Sequence, residues 1–335
     1  MWAVVFKYAS VEVPAGKTIR FINHGSRAPV VWLAQASVTI RGIVSLTPAA
    51  STNPPVSWPE PGPGGFRGGG PATSPAFPPG VGPGGGQSAV TQQNGNYAGP
   101  GDFTWSGPAY GSPTLFPLIG GSGASTTTVG AAGGPGGGAI LIAANERVES
   151  FGSGVILARF GTLGSGANGS GGAVRLVANV INLQPTVPID AWSSASGSGR
   201  IRLEANQFQG FVSTSPPASI GTPGPIFPDS MTPAVRVVSV TIGGLTYPVP
   251  ADPRASFSFP QADVIAAMAG SAQVELEARN IAPGRFCQVR VANPIGSGAL
   301  WTNSTPLAGT TALSTATATV PLAVGLHAMQ VRVVL

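Results

Sequence analysis

GGAILIAAN at 137–145, GGAVRLVAN at 171–179 and SGRIRLEAN at 198–206 are three copies of one phrase. A fainter copy, APVVWLAQA, stands at 28–36. Each clear copy runs from small residues into an aliphatic strand and closes on Ala and then Asn: Asn145, Asn179 and Asn206. The starts lie 34 and 27 residues apart. Recurrence at about 20–50 residues marks stacked units, none of which can bury its apolar face alone. AILIAA and AVRLVA are almost continuously apolar, as strands of parallel sheets are. No helical period accompanies them, so each unit reads as a coil of a parallel β-helix with corner loops of uneven length. The three Asn would stack as a ladder at one corner, their amides serving turn backbone.

Working outward, VVFKYASVEV (4–13) and KTIRFIN (17–23) read as strands joined by the turn Pro14-Ala15-Gly16. SVTIRGIVSL (37–46) alternates around Gly42, which suggests a corner or bulge. The stretch 48–136 is dense in Gly, Pro, Ser and Thr, yet Trp58, Phe66, Phe77, Tyr97, Phe103, Trp105, Tyr110 and Phe116 are spaced through it. Disordered linkers are poor in aromatics. The expectation is a compact insertion with extended or polyproline-like backbone, pinned by these rings. PIFPDSMTP (225–233) reads as a linker. Beyond it, AVRVVSVTI, ASFSF, AQVELEARNI, FCQVRVAN, STATATV and HAMQVRVVL alternate as in an antiparallel β-sandwich. ADVIAAMAG (262–270) reads as one helical turn. The domains expected are therefore a β-helix at 1–224 carrying the 48–136 insertion, the linker, and a sandwich at 234–335.

Composition agrees with turn-dense β structure. The 335 residues include 49 Gly and 34 Pro, yet 42% are hydrophobic. Only 9% are charged, with a net charge of +5 and no Lys/Arg cluster, so nucleic acid is not an expected partner. Cys287 is the one cysteine; it excludes an intrachain disulfide and reads as a buried small hydrophobe. No segment approaches the roughly 18 apolar residues of a membrane-spanning helix. The expectation for location is the cell surface or the extracellular space, after removal of a leader not present in this chain.

SVEVPAGKTIRFIN (10–23), VVWLAQASVTIRGIV (30–44), the repeated phrase and STPLAG…STATATV (304–320) together resemble glycine-rich bacterial cell-surface and extracellular proteins. Those proteins combine a right-handed parallel β-helix with a C-terminal Ig-like β-sandwich. The resemblance implies that fold and an exported location. Its motifs specify architecture, not activity.

A β-helix raises the question of a polysaccharide lyase or hydrolase, which needs clustered carboxylates. The twelve acids include no D-x-D or D-D, and Glu146 and Glu204 fall on different corners. Glu275 and Glu277 share one strand face and read as solvated. His24 and His327 lie in different expected domains with no acid or Cys beside them. The sequence therefore points to no enzyme, no catalytic set, no metal and no cofactor. Two positive signals remain. Residues 1–10 contain nothing that looks like a cap, so Trp2, Val4, Val5 and Phe6 form a candidate assembly edge for copies of the chain. Trp58, Phe66, Trp105 and Tyr110 are candidate rings for stacking on sugar. The leading expectation is a structural surface protein that assembles head to tail into a filament, sheath or surface layer. The alternative is an adhesin that binds surface polysaccharide through those rings.

Overall fold

The computed structural model describes residues 3–21, 23, 26–49, 60–71, 78–87, 93–98, 106–126, 129–161, 167–184, 188–193, 197–210, 213–249, 264–292 and 301–334. The chain is all-β. Its first part contains β1 (Val4–Tyr8), β2 (Val11–Val13), β3 (Thr18–Arg20), β4 (Val30–Ala34), β5 (Ser37–Ile40), β6 (Ile43–Ser45), β7 (Ala139–Ala144) and β8 (Arg147–Ser150). It continues with β9 (Val155–Leu157), β10 (Ala173–Leu183), β11 (Ile189–Asp190), β12 (Arg200–Gly210), β13 (Thr214–Ser215) and β14 (Ser219–Gly221). Every pairing among these strands is parallel.

The right-handed parallel β-helix of the sequence reading is corrected. Nine strands form one sheet in the order β1-β4-β7-β10-β8-β5-β2, with β12 beside β10 and β14 beside β12, and this sheet curls into a nearly closed, barrel-like layer. A second parallel sheet runs β13-β11-β9-β6-β3. The physical reason lies in β10 and β12. Each is 11 residues long and passes through its Asn without a break. Ala173–Val177 pairs with β7 and Val180–Leu183 with β8, so two flanks that look separate in sequence are fused. Asn179 and Asn206 are therefore mid-strand and exposed, and the Asn206 side-chain amide donates to Asn179 Oδ1 at 3.0 Å.

The repeated phrase sets the register. Ile140, Val174 and Ile201 align, as do Ile142, Leu176 and Leu203. These side chains, with Val30, Trp32, Val38, Ile40, Ile156, Ile181 and Leu183, fill one apolar core. Each such aliphatic contributes about 1.5–3 kcal/mol on burial. The turn Pro14–Lys17 lies so close to Gly42 that a Cβ there would stand 2.3 Å from the carbonyl oxygens of Pro14 and Lys17, which makes this a corner.

The described parts of the glycine-rich insertion pack against the outer face of the large sheet. The backbone N–H groups of Phe66 and Gly69 donate to Gly121 and Ala124; those of Gly121 and Ala124 donate to Gly137 and Gly134; those of Gly134 and Gly137 donate to Ala167 and Ser170. Partners thus recur every third residue, the repeat of a polyproline-II helix, which satisfies none of its own backbone groups. A strand reaches neighbours on two sides, whereas a three-residue period aims bonds in three directions. Residues 118–126 accordingly bond to 60–71, 78–87, 93–98, 131–138 and 167–172. Such close approach leaves no room for side chains. Rings anchor this bundle: Tyr97 and Tyr110 stack at 4.4 Å, and the Tyr97 hydroxyl donates to Ile119 O at 2.7 Å. Tyr97, Leu115 and Leu118 cover Val31, Leu141, Ala143 and Val177.

A buried ion cluster ties the chain beyond β14 to the same face. Arg175 Nη2 donates to Glu204 Oε2 and to Pro225 O, both at 2.8 Å, and Gly224 N donates to Glu204 Oε2 at 2.9 Å. Arg202 Nε donates to the other carboxylate oxygen at 3.0 Å. Burial alone would raise the Glu204 carboxyl, but the hydrogen bonds from Arg175, Gly224 and Arg202 outweigh it and hold it below its usual 4.5.

The second part is antiparallel. Its strands are β15 (Ala234–Ile242), β16 (Leu245–Pro248), β17 (Val264–Ala266), β18 (Gly270–Arg279), β19 (Phe286–Ala292), β20 (Trp301–Pro306), β21 (Ala308–Gly309), β22 (Ser314–Leu322) and β23 (Gly325–Val334). They form sheets ordered β16-β15-β18-β22-β21 and β17-β23-β19-β20. Inward residues such as Val240, Val274, Leu276, Val289 and Val320 share one core, and Cys287 is buried in it. The helical turn expected at 262–270 is corrected: Val264–Ala266 is a strand that pairs with β23, and Gly270 opens β18.

His327 is 1% exposed; its Nε2 lies 2.8 Å from Ala323 O, and its Nδ1 has no partner. Burial lowers its pKa below 6.5, only partly offset by the Ala323 bond. The unfolded chain therefore takes up this proton first. Stability from neutral His327 is full above pH 6.5 and is lost as pH falls below it. Urea unfolding of the wild type is expected to weaken from about pH 7.5 to about pH 5.5, and His327→Gln to flatten that dependence.

Candidate functional site

The strongest structural irregularity is the edge of the large parallel sheet at β1. Among the described residues β1 has one partner strand, β4, so one row of its N–H and C=O groups faces outward. An exposed strand edge is a template for further pairing. Val4 is half-buried, whereas Val5 and Phe6 are each 38% exposed. Trp2 lies outside the described residues.

The side chains of this end form an aromatic layer. Phe6 and Tyr8 stack at 6.4 Å, Tyr8 meets Trp32 edge-on at 6.2 Å, and Phe21 packs on Trp32 at 5.8 Å. Tyr8, Phe21 and Trp32 are not singled out by the sequence, because they lie in β1, directly after β3 and in β4, segments that only the fold brings together. Phe6 sits on the inward-facing register of β1 yet remains partly open, since no further layer covers it among the described residues.

Register links this end to the opposite one. Phe6 pairs with Trp32, Trp32 with Ile142, Ile142 with Leu176, Leu176 with Leu203, and Leu203 with Ile220 of β14. One apolar column therefore runs across six strands. Its interior members are buried, and Ile220 at its far end is 55% exposed. Sequence reasoning missed Ile220, which sits in the short segment Ser219–Gly221 among turn residues. The signal that finds it is its register with the repeated phrase.

Of the four candidate stacking rings, Phe66 and Tyr110 lie among the described residues. Tyr110 lies with its ring against Tyr97 and its hydroxyl donating to Gly120 O. Burial and the neighbouring Tyr97 phenol push its pKa upward. Phe66 is half-buried and crowds Gly82, where a Cβ would stand 2.8 Å from its ring. Trp58 and Trp105 lie outside the described residues, as do His24, Phe77 and Phe103.

The described carboxylates are largely held by arginines. Arg27 and Arg67 approach Glu60, Arg147 contacts Glu149, Arg159 contacts Asp190, and Arg236 and Arg279 contact Glu277. Among the described residues no group of three His, Cys, Asp or Glu is placed to hold a metal ion. No helix among them is long and apolar enough to cross a membrane. No known protein family, characterised protein or solved structure matches the chain.

Proposed function

We propose that the protein is a structural, non-enzymatic component of a bacterial surface that joins copies head to tail into a filament, sheath or surface layer outside the cell. The observation that carries this reading is the apolar column with an exposed member at each end, Phe6 in β1 and Ile220 in β14. Both ends carry parallel strands of the same sheet, so β14 of one copy can pair with β1 of the next and continue the column. A heterologous contact of this kind repeats without closing and builds a fibre. Main-chain pairing supplies the adhesion and burial of Phe6 and Ile220 the specificity. The resemblance to glycine-rich surface proteins supports the extracellular location. An adhesin acting through the insertion aromatics draws less support, because Tyr110 is already stacked on Tyr97.

The test is sedimentation of the purified protein over a range of concentrations. Wild type is expected to form growing oligomers. Phe6→Asp, which places a charge in the joint at a position already partly exposed, is expected to sediment as a folded monomer. Wild type that stays monomeric at high concentration contradicts the reading.

A further inference from the structure

A groove of about 770 Å³ crosses the large sheet at the level where the repeated phrase ends. It runs perpendicular to the strands, from Tyr8 in β1 past β4, β7 and β10 to Asn206 in β12. At about 4.8 Å per strand that path is about 19 Å long.

Three features define its chemistry. The first is a line of side-chain amides: Gln35 and Asn145 directly after β4 and β7, and Asn179 and Asn206 within β10 and β12. The 3.0 Å bond from Asn206 Nδ2 to Asn179 Oδ1 orients that pair, and both residues are exposed. The second is a floor of small apolar residues with Phe227, 44% exposed, on one wall. The third is charge: among the described residues no carboxylate lines the groove, and Lys7 is the one ionised side chain. The wall is held in place. Arg175 and Glu204, each 3% exposed in the side chain, grip the backbone at Pro225 and Gly224 directly before Ile226 and Phe227.

We propose that this groove binds a short neutral oligosaccharide. Amides that both donate and accept match the hydroxyls of a sugar, and an aromatic ring matches its C–H face. A volume of this size fits the range of small-molecule sites. An extended peptide suits it less. Same-side residues of a peptide recur at about 6.6 Å, not at the strand spacing. The strands crossing the floor also have their N–H and C=O groups already committed to neighbouring strands. The site lies within one copy and does not rest on the assembly reading.

The experiment is a glycan microarray of short neutral and acidic oligosaccharides, followed by saturation-transfer NMR with cellotetraose and fully N-acetylated chitotetraose. The expected result is binding to neutral chains. Affinity should fall about tenfold or more in the Asn179→Leu/Asn206→Leu variant, the loss of one or two hydrogen bonds. It should also fall in Phe227→Ala. Both amides are exposed, so thermal melting should confirm an unchanged fold. Phe66→Leu, in the insertion, should retain binding. The proposal is overturned if no neutral oligosaccharide binds, if acidic glycans dominate the array, or if binding survives loss of both amides.

Discussion

Gly123→Ala is expected to unfold the first part of the chain or to destabilise it by about 4 kcal/mol or more, the range reserved for severe steric or burial defects. A Cβ at this position would stand 1.8 Å from the Arg67 carbonyl oxygen and 2.6 Å from Gly68 N. Both are backbone atoms of a buried segment. That segment cannot retreat alone, because Phe66 donates to Gly121, Val81 donates to Arg67 and Gly69 donates to Ala124. Gly130→Ala is the matched control. Gly130 has φ +77 and nothing within 4 Å of a built Cβ. Only left-handed backbone strain opposes that change, about 1–2 kcal/mol. Urea unfolding of the two variants separates loss of space from loss of backbone freedom. Equal effects would mean that the glycine-rich bundle is not packed as described.

Arg175→Met is expected to cost about 3–5 kcal/mol, because it leaves the Glu204 carboxylate buried without its main partner. Arg202 remains, but it is bonded to one oxygen only. The double variant Arg175→Met/Glu204→Leu should recover much of the loss, since an apolar pair of similar volume replaces two buried charges. The lowered Glu204 pKa adds a signature. Its contribution to stability is present above pH 4.5 and is lost as pH falls through the lower folded value. Acid unfolding of Glu204→Gln should therefore lack part of the wild-type pH dependence. If Arg175→Met melts like wild type, the cluster does not hold the 223–227 segment.

The repeated phrase made the central strands legible. Ala139–Ala144, the first half of β10 and the first half of β12 fall where the phrase places them, in the register that its alignment implies. The length of β10 and β12 was not legible. An Asn after an apolar run reads as a corner, and the continued pairing of Val180–Leu183 depends on β8, which lies far away in sequence. That difference turned the expected coil architecture into a curled, nearly closed sheet. For the described parts of the insertion, packed extended backbone was legible from the spaced rings and the abundant Gly and Pro. Which segment meets which was not, because backbone-to-backbone bonds leave no side-chain pattern. Arg175, Arg202 and Glu204 occupy outward positions of the phrase, where charge looks solvated; Arg175 and Glu204 are buried and Arg202 half-buried because the chain after Gly221 folds back over them and Phe116 lies against Arg175. Ala266 likewise looked helical by composition, and pairing with β23 decided otherwise.

The head-to-tail joint is tested most directly by a disulfide between its two faces. Cys287 is buried, so thiols introduced at the ends report alone. Adjacent strands bring Cα atoms to about 4.8 Å, within disulfide reach. The variant Phe6→Cys/Ile220→Cys, oxidised and run under denaturing, non-reducing conditions, is predicted to give a ladder of covalent oligomers that reduction collapses. Each single variant should stop at dimers or monomers. A double variant that stays monomeric with both thiols free would contradict the account.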